Sequence, residues 1–306
     1  SRLRVRNQLL DIRADQLRFT REEIAVFLKN MMGLALSAHD LTALEARTEG
    51  WIAGLQLAAL SMQGSQDIHR FVSAFTGSHH YVMDYLIEEV LKNQPPKVSA
   101  FLLQTCILDR LCEPLCEAVV EADASGSIDG QSMLETLEEM NLFLIPMDEE
   151  RHWYRYHHLF ADVLRKRLET QYSGLLPVLH LRASLWYEQN GFLAESVQQA
   201  IAAGNQDRAA QLIEQNGCLL LMSGEVATLL SWTDAIEFQS VARPWLAIQQ
   251  AWALALTGEL ERVEPILQAP EKLLALLDAT GEVRTLQGTI AAARAYCANS
   301  RGDTRV

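Results

Sequence analysis

From about residue 175 onward one local pattern recurs and limits what the chain can become. The stretch "LHLRASLWYEQNGFLAESVQQAIAAGNQDRAAQLIEQNG" is a series of Ala-rich, helix-length runs broken at Gly191, Gly204 and Gly217. Runs this short are marginal as isolated helices, so each must bury its apolar face against a neighbour. Small residues on those faces let paired helices approach closely. "PWLAIQQAWALALTGELERVEPILQ" and "TLQGTIAAARAYCANSRGD" continue the helix-turn-helix rhythm. The spacing is too irregular for a consensus tetratricopeptide array. The pattern predicts an α-solenoid, a tetratricopeptide-like helical-repeat region over residues 171 to 306.

The first half is also helical by period but differently organised. "TREEIAVFLKNMMGL" sets a capping threonine, Thr20, three residues before Glu23 and then spaces Ile24, Phe27, Leu28 and Met31 along one helical face. Gly33 ends that helix, Ser37 starts a second, and "GWIAGLQLAALSMQG" makes a third, interrupted at Gly54. Together they predict a small helical domain over residues 18 to 66. Helical runs follow in "YVMDYLIEEVLKN", which stops before Pro95 and Pro96, in "KVSAFLLQTCIL" and in "QSMLETLEEMN". Then "LFLIPM" and "HWYRY", separated by the polar "DEER", read as a two-stranded hairpin leading directly into another helix. Helices, a hairpin and a helix, in that order, predict a winged-helix domain over residues 67 to 170. The fold class expected is mainly α, with one short β-hairpin.

Charge and apolar run lengths exclude several function classes. With 26 Lys and Arg against 39 Asp and Glu the formal charge is -13, which argues against a general nucleic-acid-binding surface. Apolar stretches such as "CLLLM" and "LLALL" fall far short of the roughly 20 residues of a membrane span, and no signal segment opens the chain. A cytoplasmic location is expected. The five cysteines are an odd number in a long, well-cored chain, which suits free thiols in a reducing compartment. Cys112 and Cys116 could pair as metal ligands on one helical face, but Pro114 between them places a helix start there, and core packing is the expectation. Both ends have the look of a cut, with no opening methionine and a closing turn sequence, so a fragment is expected.

The common catalytic signatures do not occur. There is no G-x-x-x-x-G-K-[ST], no G-x-G-x-x-G after a strand, no G-x-S-x-G and no H-E-x-x-H. "WYRYHHLFADVLRKRL" holds adjacent histidines, His157 and His158, whose directions on a helix differ by about 100°, so one metal ion would be hard for both to reach. A general base is chemically conceivable, yet no nucleophile accompanies the pair. His152, His79 and His80 could join a site only through tertiary convergence. Ordinary packing, with one histidine in a polar interior and the other solvated, competes with any function. The tryptophans Trp51, Trp153, Trp186, Trp232, Trp245 and Trp252 sit in apolar periodic stretches and read mostly as core. The basic run "RLRVR" reads as a solvated face before it reads as a phosphate patch.

Five segments, taken together and in order, carry a family resemblance: "RVRNQLLDIRADQLRFTREEIAVFL", "TEGWIAGLQLAALSMQG", "FLLQTCILDRLCEPLCEAV", "NLFLIPMDEERHWYRYHHLFADVLRKRL" and "AIAAGNQDRAAQLIEQNG". From about residue 2 to beyond residue 260 the chain resembles the large ATP-binding transcription regulators of the LuxR family, the maltose-regulon-activator-like branch of the STAND signalling ATPases. The resemblance implies a central segment: residues 1 to 17 link to an absent P-loop ATPase core, and a DNA-reading helix-turn-helix domain lies beyond the C-terminal end. It implies ATP or ADP as cofactor of the whole protein, with no tight binding by this segment alone. The family's Gly-x-Pro motif beside the adenine corresponds to Gly50, Trp51 and Ile52, with Ile52 in the place of the proline. The Met-His-Asp-like motif corresponds to Tyr156, His157 and His158. This makes His157 the reader of the ADP phosphates from a helix N-terminus, where free N–H groups attract anions.

Two functions from different classes follow. One is the regulatory and sensor segment of an ATP-dependent LuxR-type activator, non-enzymatic itself, whose parent is a slow signalling ATPase. A small-molecule or protein inducer would then bind the helical repeats, where Trp186, Tyr187, Trp245 and Trp252 are available to line a groove, and the active state would self-associate and bind DNA only through the absent C-terminal domain. The other is a helical-repeat scaffold for protein interaction with no nucleotide dependence. An independent small-molecule enzyme is a more distant third. No metal site and no membrane contact are expected.

Overall fold

The computed structural model describes residues 17–62, 68–75, 84–120, 129–140, 142–238, 242–278 and 280–302. The chain divides into two compact units, Ser1–Leu176 and Pro177–Val306. The run "RLRVR", the expected linker up to residue 16, and His79 and His80 lie outside the described residues.

The first unit opens with three helices, α1 (Arg21–Met32), α2 (Ala38–Thr48) and α3 (Ile52–Met62). The expected capping box is formed: the Thr20 hydroxyl accepts from the Glu23 N–H, the Glu23 carboxylate accepts from the Thr20 N–H, and Gly33 closes the helix at φ +69°. Gly54 does not interrupt α3 as the sequence suggested, because the Trp51 ring lies where its side chain would be, so close packing explains this glycine better than a break. A short helix α4 (Ile68–Ala74) follows. The segment read as one regular helix up to Asn93 is instead a π-turn (Leu86–Val90) running into a 3-10 turn (Leu91–Asn93) among the described residues. Wider and then tighter winding leads the chain into the Pro95-Pro96 corner.

The winged-helix elements are α5 (Pro96–Thr105), α6 (Glu113–Val119), α7 (Gly130–Glu139), the strands β1 (Leu144–Pro146) and β2 (Tyr154–Tyr156), and α8 (His158–Gln171). The strands are antiparallel, pairing Leu144 with Tyr156, Ile145 with Arg155 and Pro146 with Tyr154. At the turn, Asp148 accepts backbone N–H bonds from His152 at 2.8 Å and Trp153 at 3.1 Å, and Leu111 adds a third edge by exchanging both backbone bonds with Tyr154. Strand alternation does the positioning. Tyr154 and Tyr156 go into the core, where the Tyr156 hydroxyl lies 2.7 Å from that of Thr105, and Arg155 is left on the other face. Helix α8 buries Leu159, Phe160, Val163, Leu164 and Leu168 against α5 and α2.

The second unit is a stack of helices: α9 (Leu176–Gln189), α10 (Leu193–Ala202), α11 (Gln206–Ser223), α12 (Val226–Asp234), α13 (Pro244–Thr257), α14 (Leu260–Leu274) and α15 (Gly281–Ser300). Sequential helices pack on one another around a continuous apolar core, the expected solenoid arrangement. At one crossing the hydroxyls of Ser184 and Ser196 each donate to the other's carbonyl at 2.8 Å, satisfying buried polar groups where two helices approach closely. Gly217 does not break the repeat. Helix α11 runs through it and ends at Gly224, and a side chain at 217 would overlap the Gln249 amide of α13. The sequence signal for a turn was a packing contact.

Candidate functional site

Helix α2 ends in a sharp reversal. Glu49 takes the left-handed conformation at φ 50° and Gly50 follows at φ 72°. Gly50 is required twice over: its φ is unfavourable for other residues, and a Cβ would run into the backbone of Phe19, whose N–H donates to the Gly50 carbonyl at 2.9 Å. The reversal swings the Glu49 side chain onto the winged helix. There its two oxygens accept from the Arg155 guanidinium at 2.8 Å each, a bidentate pair across 106 residues of sequence. The same carboxylate accepts from the His158 N–H at 3.3 Å, lies 3.5 Å from His158 Nε2 and 3.5 Å from Arg18, and is only 9% exposed. Burial by itself would raise its pKa. The Arg155 hydrogen bonds and charge outweigh burial, together with His157 whenever that ring is charged, and hold the carboxyl at about 2.

His157 caps α8. Its Nδ1 accepts from the Leu159 N–H at 3.3 Å, so the proton is on Nε2, which donates to the Thr48 carbonyl at 2.8 Å. The ring is buried and stands edge-on to Trp51 at 5.8 Å, while the backbone N–H of His157 donates to the Phe143 carbonyl at 2.8 Å. Burial pushes the imidazole pKa below the ordinary value, against the pull of Glu49 and Thr48, so the neutral form is the folded one. His158 is exposed. The C-terminal end of α2 is thus joined to β2 by an ion pair, and to the start of α8 by a neutral imidazole bond and a carboxylate on its N-terminus. The arrangement holds two segments of the chain together.

A family model for the MalT winged helix domain matches residues 87–176. The chain carries a MalT winged-helix domain. Beyond it, the serine/threonine-protein kinase PknK of Mycobacterium tuberculosis is 36% identical over 293 residues, 92% of this chain and 26% of that protein. The HTH-type transcriptional regulator MalT of Serratia proteamaculans is 32% identical over 306 residues, 98% of this chain and 33% of its own length, and MalT of Cronobacter sakazakii is 31% identical over 305 residues. The chain spans about a quarter to a third of the length of the curated relatives it matches. The likeness to MalT therefore covers the helical segment, the winged helix and the repeats, in agreement with the resemblance read from the sequence.

Relative to the MalT winged-helix domain, the residues named from sequence fall into two groups. Gly50, Trp51 and His157 come together at its junction with the three-helix segment, and Ile52 begins α3 beside them. Gly50, Trp51 and His157 each make contacts within the chain here. Gly50 packs on Phe19, Trp51 packs among Tyr85, Phe143 and His157, and both nitrogens of His157 are engaged. A phosphate could take the His157 N–H only by displacing the Thr48 carbonyl. The four aromatics named for an effector pack within the repeats. Tyr187 is core at 2% exposure, Trp186 stacks on Phe192 at 6.0 Å, and Trp245 and Trp252 pack against the repeat core, with Trp252 5.8 Å from Tyr296. A cavity of about 510 Å³ in the repeats is lined instead by residues including Gln206, Asp207, Phe238 and Arg243.

Sequence reasoning missed Thr48, Glu49 and Arg155. The available signal was a charged residue at the centre of an otherwise aromatic strand, "YRY", and an acid placed before a helix-ending glycine. The cysteines are free, and burial raises the thiol pKa of Cys106, Cys112 and Cys116, the first to about 12. Cys106, Cys112 and Cys116 are packing residues, whereas Cys218 is exposed. Among the described residues no helix is long and apolar enough to cross a membrane.

Proposed function

We propose that this chain is the regulatory and sensor segment of an ATP-dependent LuxR-type transcriptional activator of the MalT kind. ATP or ADP is held mainly by a P-loop module outside this sequence, DNA is read by a C-terminal domain outside it, and this segment catalyses nothing itself. A small-molecule or protein inducer binds the helical repeats, and the induced protein self-associates. The observation that carries the reading is the α2–α8 junction. It is made of directional polar bonds between Thr48, Glu49, Arg155 and His157, which have discrete made and broken states. The closed junction belongs to the ADP state, and ATP with inducer opens it. Support also comes from the relatives: a segment common to proteins named as a kinase and as transcriptional regulators suits a control module whose output lies elsewhere.

Hydrogen exchange on the full-length protein tests this reading. The Leu159 amide at the start of α8 should be protected with ADP and exchange faster with ATP plus inducer. Identical protection in both states would remove the junction from the switch. Deleting the helical repeats should abolish inducer binding, and an inducer affinity that survives the deletion would place its site elsewhere.

A further inference from the structure

The N-terminus of α2 holds a second cluster that the junction does not use. Ser37 caps the helix by accepting from the Asp40 N–H, and its hydroxyl donates to Asp40 Oδ2 at 2.7 Å. Asp40 is thereby fixed and buried, with Oδ1 turned towards two imidazoles. His69 Nδ1 of α4 lies 2.6 Å from it and His39 Nδ1 lies 3.8 Å from it. One ligand atom from each of the three residues lies within 4.8 Å of the others, and the rings are 5.4 Å apart at 47°. A single histidine on this carboxylate would be an ordinary hydrogen bond. Two histidines converging on one fixed oxygen, with side chains 77% and 64% exposed, form a facial set open to solvent.

We infer that His39, Asp40 and His69 form a surface site for a divalent first-row transition metal, with zinc the best fit. Two imidazole nitrogens and one carboxylate oxygen suit zinc, nickel or copper, whereas calcium takes six or more oxygens and magnesium an oxygen octahedron. Tetrahedral zinc with bonds of 2.0–2.1 Å places its ligands about 3.3 Å apart. His39 must close from 3.8 Å and His69 must open from 2.6 Å, adjustments within reach of exposed side chains. Binding at Nδ1 takes the neutral His69 tautomer with its proton on Nε2, so a proton held on Nδ1 in the metal-free state passes through water to Nε2. Water fills the fourth position, and the Ser37 hydroxyl orients the carboxylate from behind. The ion would tie α4 to α2, whose far end is already linked to the same segment by the Arg47 guanidinium on the Phe75 carbonyl.

The test is zinc titration calorimetry on the chelator-treated, tag-free 306-residue chain near neutral pH, with circular dichroism to confirm the fold of each variant. One equivalent should bind in the wild type. His39→Ala and His69→Ala should each weaken it at least about tenfold, and the double variant should lose it. Cys218→Ser, which removes the exposed thiol, should leave it unchanged. Zinc should also slow hydrogen exchange in residues 68–74 of the wild type alone. No uptake at about 100 μM free zinc, or equal affinity in the double variant, overturns the site.

Discussion

Replacing Glu49 with glutamine keeps its shape and removes its charge. A fall in pKa from 4.5 to about 2 corresponds to roughly 3 kcal/mol of preference for the folded carboxylate. Water reaches Arg155, which is 27% exposed, and screening reduces this to about 2 kcal/mol, in the range of a charge-assisted bidentate pair. With a urea dependence of about 2 kcal/mol per molar, Glu49→Gln should lower the unfolding midpoint of the first unit by about 1 M at neutral pH. The sign with pH follows from a depressed carboxylate. Its stabilisation is fully present above pH 4.5 and is lost as pH falls through about 2. The gap between wild type and variant should therefore shrink to less than about half by pH 3. The assay is urea unfolding followed by far-ultraviolet circular dichroism across that range. Equal midpoints at neutral pH, or a gap that persists undiminished in acid, would refute the reasoning.

His157→Ala should cost about 2 kcal/mol through the lost Thr48 bond and helix cap, His157→Asn should recover about 1 by restoring the cap, and His158→Ala should do much less, all read from the same unfolding curves. Because the folded imidazole is held below its ordinary 6.5, wild-type stability should fall as pH drops through and below that value, and His157→Asn should lack this component. Gly50→Ala should destabilise by more than about 2 kcal/mol, from positive φ and the Phe19 clash together, while Gly224→Ala, with open space around it, should cost about 1. Gly217→Ala should destabilise alone, because Gln249 must move and lose its bond to the Glu214 carbonyl, yet stabilise by up to about 1 kcal/mol in a Gln249→Ala background; calorimetric melting of the four proteins gives the cycle.

What was legible in the sequence was local. The Thr20 capping box, the Gly33 stop and the hairpin around "DEER" are each decided within a few residues by backbone hydrogen bonding and turn chemistry. The glycines at 54 and 217 were misread because a breaker and a close-packing site look alike until the neighbour is known, a Trp51 ring in one case and a Gln249 amide in the other. The placement of His157 at the start of α8 was readable, since the strand before it and the apolar period after it bracket the position. Its partners were not. Glu49 alone reads as a solvated helix end, and only a left-handed reversal aims it at an arginine 106 residues away.

The most direct test of the junction as a switch is inducer-independent transcription in the full-length protein carrying Glu49→Gln or Arg155→Gln, measured at matched abundance. A closed state weakened by about 2 kcal/mol shifts the closed-to-open ratio roughly thirtyfold, so basal reporter activity should rise with either substitution, and the double variant should rise no further than the stronger single one. Basal activity equal to wild type in both variants, with the unfolding midpoint lowered as expected, would mean that the α2–α8 bonds stabilise the fold without governing its output.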